Sequence, residues 1–211
     1  MKQVHEIDRD RFSEWVHQYW QPVIAILLAI VLAYSLIEFL SYRNKQYNAT
    51  AGDDWYQLVK KDKLELSEID AFIKQYPDTS WSHFAYLVRG AMKSAGLDSS
   101  TTEDAIKDFN VILNESKDDI LKDNTRIKLA LLAVTQGKND EAIKLFNDVV
   151  SLPFKIQSNL YKAYLLRVEN RESELVSAIG FANDNQQYLS QQDKAIYASL
   201  EATIRQKPNE S

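Results

Sequence analysis

The side chains able to carry out chemistry are few in this 211-residue chain, and their spacing does not assemble them. There is no cysteine, which removes disulfides, thiolate metal ligands, thiol nucleophiles and lipid attachment to an N-terminal Cys. The three histidines are His5, His17 and His83. A histidine metal centre would need all of them, yet two precede a long apolar stretch and one lies far beyond it. No nucleophile stands beside a base and an orienting group, no paired carboxylates sit in a recognisable setting, and no Gly-rich loop could cradle a phosphate. Asp53-Asp54, Asp118-Asp119 and Lys60-Lys61 read as solvated helix ends or faces. Tyr86, Tyr161 and Tyr164 read as packed residues, and His83, next to Phe84, as a half-buried one. The expectation is a protein without catalytic residues, cofactor or metal.

What remains is a chain built to fold and to bind. Apolar residues make up 45% and charged residues 26%, enough to bury a core and too polar for a polytopic membrane protein. Only five Gly and four Pro occur, which disfavours turn-dense β folds and favours helices. With 25 basic against 30 acidic residues and a net charge of -5, no basic surface is available to displace counterions, so nucleic acid is not an expected partner.

One segment departs from the rest. From Val16 to Ile37 there is no Asp, Glu, Lys or Arg. As a helix, residues 20–40 would measure about 31 Å, close to the hydrocarbon thickness of a bilayer. Trp15, Tyr19 and Trp20 on one side, and Tyr42 and Tyr47 on the other, suit the two membrane interfaces. A buried core helix rarely has so complete an apolar surface, and no small-x-small site closes the stretch for signal cleavage. The expectation is a retained signal anchor in the lipid bilayer. Lys2, Arg9 and Arg11 precede it and Arg43 and Lys45 follow it, a small excess that leans towards a cytoplasmic N-terminus. Ala25, Ala29 and Ala33 form a small-residue stripe that would permit close helix packing in the membrane, and Glu38 would reach the headgroups.

Beyond the span the apolar spacing is helical. Residues 53–76 suggest two helices, with Pro77 ending the second; Trp81 to Met92 marks another, closed by Gly96. Ser100 or Thr101, with Glu103 and Asp104 three residues on, offers capping boxes for the next. EDAIKDFNVIL from Glu103 aligns with DEAIKLFNDVV from Asp140 at an offset of 37 residues, with five of eleven positions identical. Ala105 and Phe109 in the first copy, Ala142 and Phe146 in the second, would allow a close crossing at the alanine and wedge the phenylalanine into the neighbouring pair. A helix from Ile127 to Val134 ends at Gly137, ahead of Ala142, giving a helix-turn-helix unit with the order of small and large positions of a tetratricopeptide repeat (TPR). The offset exceeds the usual repeat length, and longer polar loops would hold the extra residues. A weaker third unit runs from Leu160 to Ile179. A last helix after Ser190 and Asp193 would cover the final apolar face.

The expected fold is therefore all-α: residues 1–19 a short cytoplasmic segment, 20–40 a transmembrane helix, 41–52 a linker, and 53–207 a TPR-like solenoid of helical hairpins. Helix geometry places Asn124, Lys128, Leu131 and Thr135 along the inner face of the best-defined repeat, where a peptide or partner helix would bind; packing against the terminal helix is the alternative.

In order, a short N-terminus, one span, the segment FIKQYPDTSW at 72–81 and the Ala-x3-Phe repeats, the chain resembles the YfgM family of single-pass bacterial inner-membrane proteins, ancillary to the SecYEG translocon. The resemblance implies a cytoplasmic N-terminus, a periplasmic helical domain, and work beside the translocon and the membrane-anchored periplasmic chaperone PpiD in handing exported polypeptides on, with no chemistry performed. A TPR scaffold whose domain stays in the cytoplasm to assemble another membrane complex is the alternative.

Overall fold

Helix-forming periodicity with few Gly and Pro gives a chain of helices joined by short turns. The structure, a computed structural model, describes the backbone of residues 3–96 and 99–205 and the side chains of 24–96 and 101–202. Its elements are α1 (Gln3–Val59), α2 (Leu66–Gln75), α3 (Ser80–Ala95), α4 (Ser99–Glu115), α5 (Asp119–Thr135), α6 (Asn139–Asn147), α7 (Leu152–Val168), α8 (Glu172–Asp184) and α9 (Gln191–Arg205), with a 3-10 turn at Gln186–Tyr188. No strand occurs among the described residues, so the fold is all-α. The chain divides into two units, Met1–Asp54 and Trp55–Ser211.

In the first unit, the stretch of α1 from Ile24 onward has a mean hydropathy of 2.4 in its most apolar window and none of that window is buried. It is long and apolar enough to cross a membrane. Ala25, Ala29 and Ala33 lie exposed on it. Residues 41–52, expected as a linker, are helical. Two residues there that often compete with helical backbone bond back along the helix instead: Asn48 Nδ2 donates to the Asn44 carbonyl (2.9 Å) and Thr50 Oγ1 to the Gln46 carbonyl (3.0 Å). The first of the two helices expected within 53–76 is thus the C-terminal end of α1, and α2 is the second.

In the second unit α3 packs on α4, α5 on α6 and α7 on α8, each pair also touching the next, while α9 lies on α7 and α8. Elements that touch only near neighbours in sequence make a solenoid, in which each hairpin buries its apolar face against the adjacent ones. α5 shares its apolar side chains between two clusters. Leu121 and Leu129 join Leu87, Phe109 and Ile112, whereas Ile127, Ala130 and Ala133 join Phe146, Leu160, Leu166 and Leu200.

The turns inside the second and third hairpins are built alike, 33 residues apart. Gly137 (φ 72°) and Asn170 (φ 58°) adopt the left-handed conformation after α5 and α7. In each, the following N–H reaches back five residues, Lys138 to the Ala133 carbonyl and Arg171 to the Leu166 carbonyl, both at 2.9 Å. By this register Leu175 and Ile179 stand where Ala142 and Phe146 stand in the repeat before, which explains the weak third copy in the sequence. The extra residues of the 37-residue offset are not in loops, as expected from polarity, but in helix: α4 continues to Glu115, well past Phe109, while α6 stops at Asn147, one residue after Phe146. The expected cap at Ser100 or Thr101 also shifts. α4 already begins at Ser99, and Thr101 Oγ1 donates to the Gly96 carbonyl (2.9 Å); the side chain of Ser100 lies outside the described residues. At α9 the Ser190–Asp193 box forms, with Asp193 N–H on Ser190 Oγ (3.1 Å) and Ser190 N–H on the Asp193 carboxylate (3.4 Å).

Two contacts fix the hairpins. A Cβ on Gly90 of α3 would stand 2.7 Å from Cε1 of Phe109, so the ring lies directly on the glycine. Asp123 of α5, fully buried, accepts hydrogen bonds from the N–H groups of Ser151 (2.6 Å) and Val150 (3.2 Å) and pairs with Arg126 (2.5 Å). It thereby anchors the chain just before α7, where the Ser151 side chain makes no cap bond. Burial alone would raise the Asp123 pKa, but the hydrogen bonds from Ser151, Arg126 and Val150 outweigh it and hold the carboxyl below its usual range.

Gly90→Val should destabilise the second unit by about 2–3 kcal/mol through overpacking against Phe109, read from urea unfolding by circular dichroism. Asp123→Ala removes the acceptor of two part-buried N–H groups and of Arg126 and should cost about 2 kcal/mol at neutral pH. Because the folded pKa of Asp123 is depressed, its contribution is complete above the unfolded carboxylate value and fades as pH falls through the folded one. The wild-type and variant stability curves should therefore converge in acid.

Candidate interaction face

The residues that pack the repeats and those that face solvent separate cleanly. Ala105, Phe109, Ala142 and Phe146 are all buried. Phe109 covers Gly90, and the Phe146 carbonyl accepts a hydrogen bond from Ser158 Oγ of α7 (2.6 Å).

Asn124, Lys128, Leu131 and Thr135 fall at i, i+4, i+7 and i+11, one face of α5. The first two are half-buried and the last two exposed, Leu131 at 40%. The 33-residue register carries this face to Gln157, Tyr161, Tyr164 and Val168 of α7. The buried series Ala85, Leu87, Gly90 of α3 matches Thr125, Ile127, Ala130 of α5, and that match extends the face to Phe84, Val88, Ala91 and Ala95. α3 touches α5 and α5 touches α7, so these stripes lie side by side.

Tyr164 corrects an expectation. It is not buried in the core but 56% exposed, with the Arg167 guanidinium 5.3 Å from its ring centre, and Val168 is 62% exposed. Tyr161 is half-buried, its ring 6.3 Å from that of Phe146, and Tyr86 is half-buried with the Arg89 guanidinium 4.9 Å from its ring centre. The α7 members of the face were missed because Leu175 and Ile179 replace the Ala-x3-Phe pair. Alignment on the Gly137 and Asn170 turns is the signal that recovers them. His83 is half-buried, as expected. Burial lowers its pKa against the opposing pull of Glu115 and Asp78.

Charge on this unit gathers elsewhere. Arg89 of α3 donates to both oxygens of Asp108 of α4 (2.9 and 2.6 Å) and to Asp70 of α2 (2.5 Å), and Lys93 adds a bond to Asp108 (3.0 Å). Burial would lower the Arg89 pKa, but Asp108 and Asp70 hold it above its ordinary value. The cluster ties three helices together. Arg171 does similar work at the turn before α8, bonding Glu174, Asp140 and Glu169, while Asn139 bonds Glu169 (2.7 Å). Asp118, expected as part of a solvated helix end, caps α5 through the N–H groups of Ile120 (2.9 Å) and Leu121 (3.1 Å). Among the described residues no group of three or more His, Asp or Glu side chains is placed to hold a metal ion.

Arg89→Ala leaves Asp108 buried without its main partner and should cost about 3 kcal/mol in chemical unfolding. Lys107→Ala removes only the exposed pair with Asp104 and should leave the unfolding curve unchanged.

A family model described as a tetratricopeptide repeat-like domain matches residues 13–202. No curated protein and no solved structure matches the chain. Helical-repeat domains of this kind typically serve as interaction scaffolds. The repeat match spans nearly the whole sequence and agrees with the paired helices and their recurrent turns: the chain belongs to the tetratricopeptide repeat-like domain family.

Proposed function

We propose that this protein is a membrane-anchored interaction scaffold, in which α1 holds the chain in the bilayer and the helical repeats recruit polypeptide partners. The observation that carries the reading is the pairing of an apolar helix buried nowhere in its most hydrophobic window with a repeat domain bearing an exposed, weakly charged face. A hydrophobic surface of that size has no solvent-compatible role and calls for lipid. On this reading residues 20–40 span the membrane, Ala25, Ala29 and Ala33 pack against a partner's membrane helix, 41–52 is a helical spacer, and 53–207 forms the interaction domain.

The resemblance to the YfgM family extends the proposal to a place and to partners. The protein sits in a bacterial inner membrane with its N-terminus in the cytoplasm and its repeats in the periplasm. It works beside the SecYEG translocon and a PpiD-like chaperone, assisting transfer of exported polypeptides. The basic residues before the span support that orientation. Arg43 and Lys45 just after it favour a second reading, a scaffold whose domain remains cytoplasmic.

Protease added to intact spheroplasts should digest the repeat domain, and crosslinking in mild detergent should recover translocon subunits with the full chain. Protection of the domain supports the cytoplasmic alternative. Absence of channel subunits, when the channel itself stays intact, removes the translocon assignment.

A further inference from the structure

α1 does not stop at the far edge of the expected span but runs unbroken through residues 41–52 to Val59. That continuity decides where Glu38 points. In a helix every Cα–Cβ bond tilts towards the N-terminus, and for a helix leaving the bilayer at its C-terminal side that direction is into the membrane. A linker at 41–52 would have let the carboxylate turn out to the headgroups; the continuing helix directs it inward instead. With residues 20–40 as the span, Glu38 lies eight residues past the middle, or about 12 Å along the axis, against a hydrocarbon half-thickness of about 15 Å. Glu38 is exposed and has no hydrogen-bonding or ionic partner among the described residues. Its own Lys45 is seven residues on, about 10 Å along the axis and beyond the hydrocarbon. A carboxylate held in lipid without a counter-charge is costly, and a cation brought to it there is bound more strongly than in water.

The surroundings of Glu38 select the cation's carrier. Tyr34, Glu38, Ser41 and Lys45 fall at i, i+4, i+7 and i+11, one face of α1, and with Ser35 they line a shallow depression. This face is turned away from Ala25, Ala29 and Ala33. A second copy of the chain does not fit it. Two copies anchored the same way run parallel, which sets one Glu38 beside the other and leaves each Lys45 out of reach of the opposite carboxylate. The complementary occupant is a different membrane helix that brings a guanidinium or ammonium group to the depth of Glu38, where the Tyr34 and Ser41 hydroxyls can accept its remaining N–H groups. Resting on the anchor reading above, we infer that the Tyr34–Lys45 face of α1 docks a heterologous membrane helix through a basic side chain paired to Glu38.

The test uses the full chain in liposomes, with a donor dye on Gln46→Cys, an exposed position outside this face in a chain that has no other cysteine, and acceptor-labelled transmembrane peptides. The peptides share a Leu/Ala background. Three carry Arg, Leu or Glu eight residues from the centre of the span, and a fourth carries Arg at the centre itself. Energy transfer should show the off-centre Arg peptide binding at least tenfold tighter than the others. Glu38→Gln should weaken it at least tenfold, and Glu38→Arg should transfer the preference to the Glu peptide. Arg43→Gln, a charge change on another side of the helix, should leave binding unchanged. Equal binding of the Arg and Leu peptides, or wild-type affinity in Glu38→Gln, overturns the inference and returns the carboxylate to the headgroups. Energy transfer between copies of the chain that is lost in Glu38→Gln also overturns it and assigns the face to a homodimer. Alkaline carbonate separates this inference from the anchor reading: release of the wild-type chain from the liposomes sinks both, whereas retention without charge dependence sinks this inference alone.

Discussion

The constraint on which the second unit depends is how closely consecutive helices can approach. A helical hairpin cannot bury its apolar stripe alone, so each must be covered by the next, and cover is complete only where a small residue lets a large one settle. Gly90 beneath Phe109 is one instance, and the buried Ala130, Ala142 and Ala163 continue the series of small residues in the later repeats. Once these crossings are set, the side chains opposite them on α3, α5 and α7 have no choice but to face outward together. The outward face is therefore a by-product of the packing.

Buried charge complements this arrangement by joining helices that apolar contact alone would leave free to slide. Asp123 grips the backbone where α7 begins, and Arg89 joins α2, α3 and α4 through Asp70 and Asp108. Such groups lose hydration on burial and are stabilising only with their partners in place, which makes them geometrically demanding. They specify which hairpin sits against which, a job for which leucine contacts are too permissive.

Much of this architecture was legible in the sequence, and the reasons differ by residue. The apolar stretch from Val16 stands out because no Asp, Glu, Lys or Arg interrupts it as far as Ile37, and the structure gives it the continuous helix that its composition suggests. The repeat pair was visible because Ala105-x3-Phe109 and Ala142-x3-Phe146 are chemically the same. The third hairpin was faint because Leu175 and Ile179 fill the same space with other side chains, and packing reads volume rather than identity. The helical state of residues 41–52 was missed because Asn48, Thr50 and Gly52 are poor helix formers singly, and a propensity argument does not foresee that two of them bond back into the helix. Of the face, the α5 stripe could be drawn from periodicity, but its α7 continuation needed the turn geometry at Gly137 and Asn170. Arg126, three residues on, is a partner a sequence could suggest for Asp123, but nothing in the sequence announces its bonds to the main chain at Val150 and Ser151, a whole hairpin later.

The sharing of α5 between two apolar clusters has a consequence for how the molecule opens. With Leu121 and Leu129 committed to one side and Ile127, Ala130 and Ala133 to the other, this helix is a seam between two foldons. Opening one cluster while α5 stays packed in the other would expose less apolar surface than melting both, an arrangement that favours partial opening at this helix over even fraying along the stack.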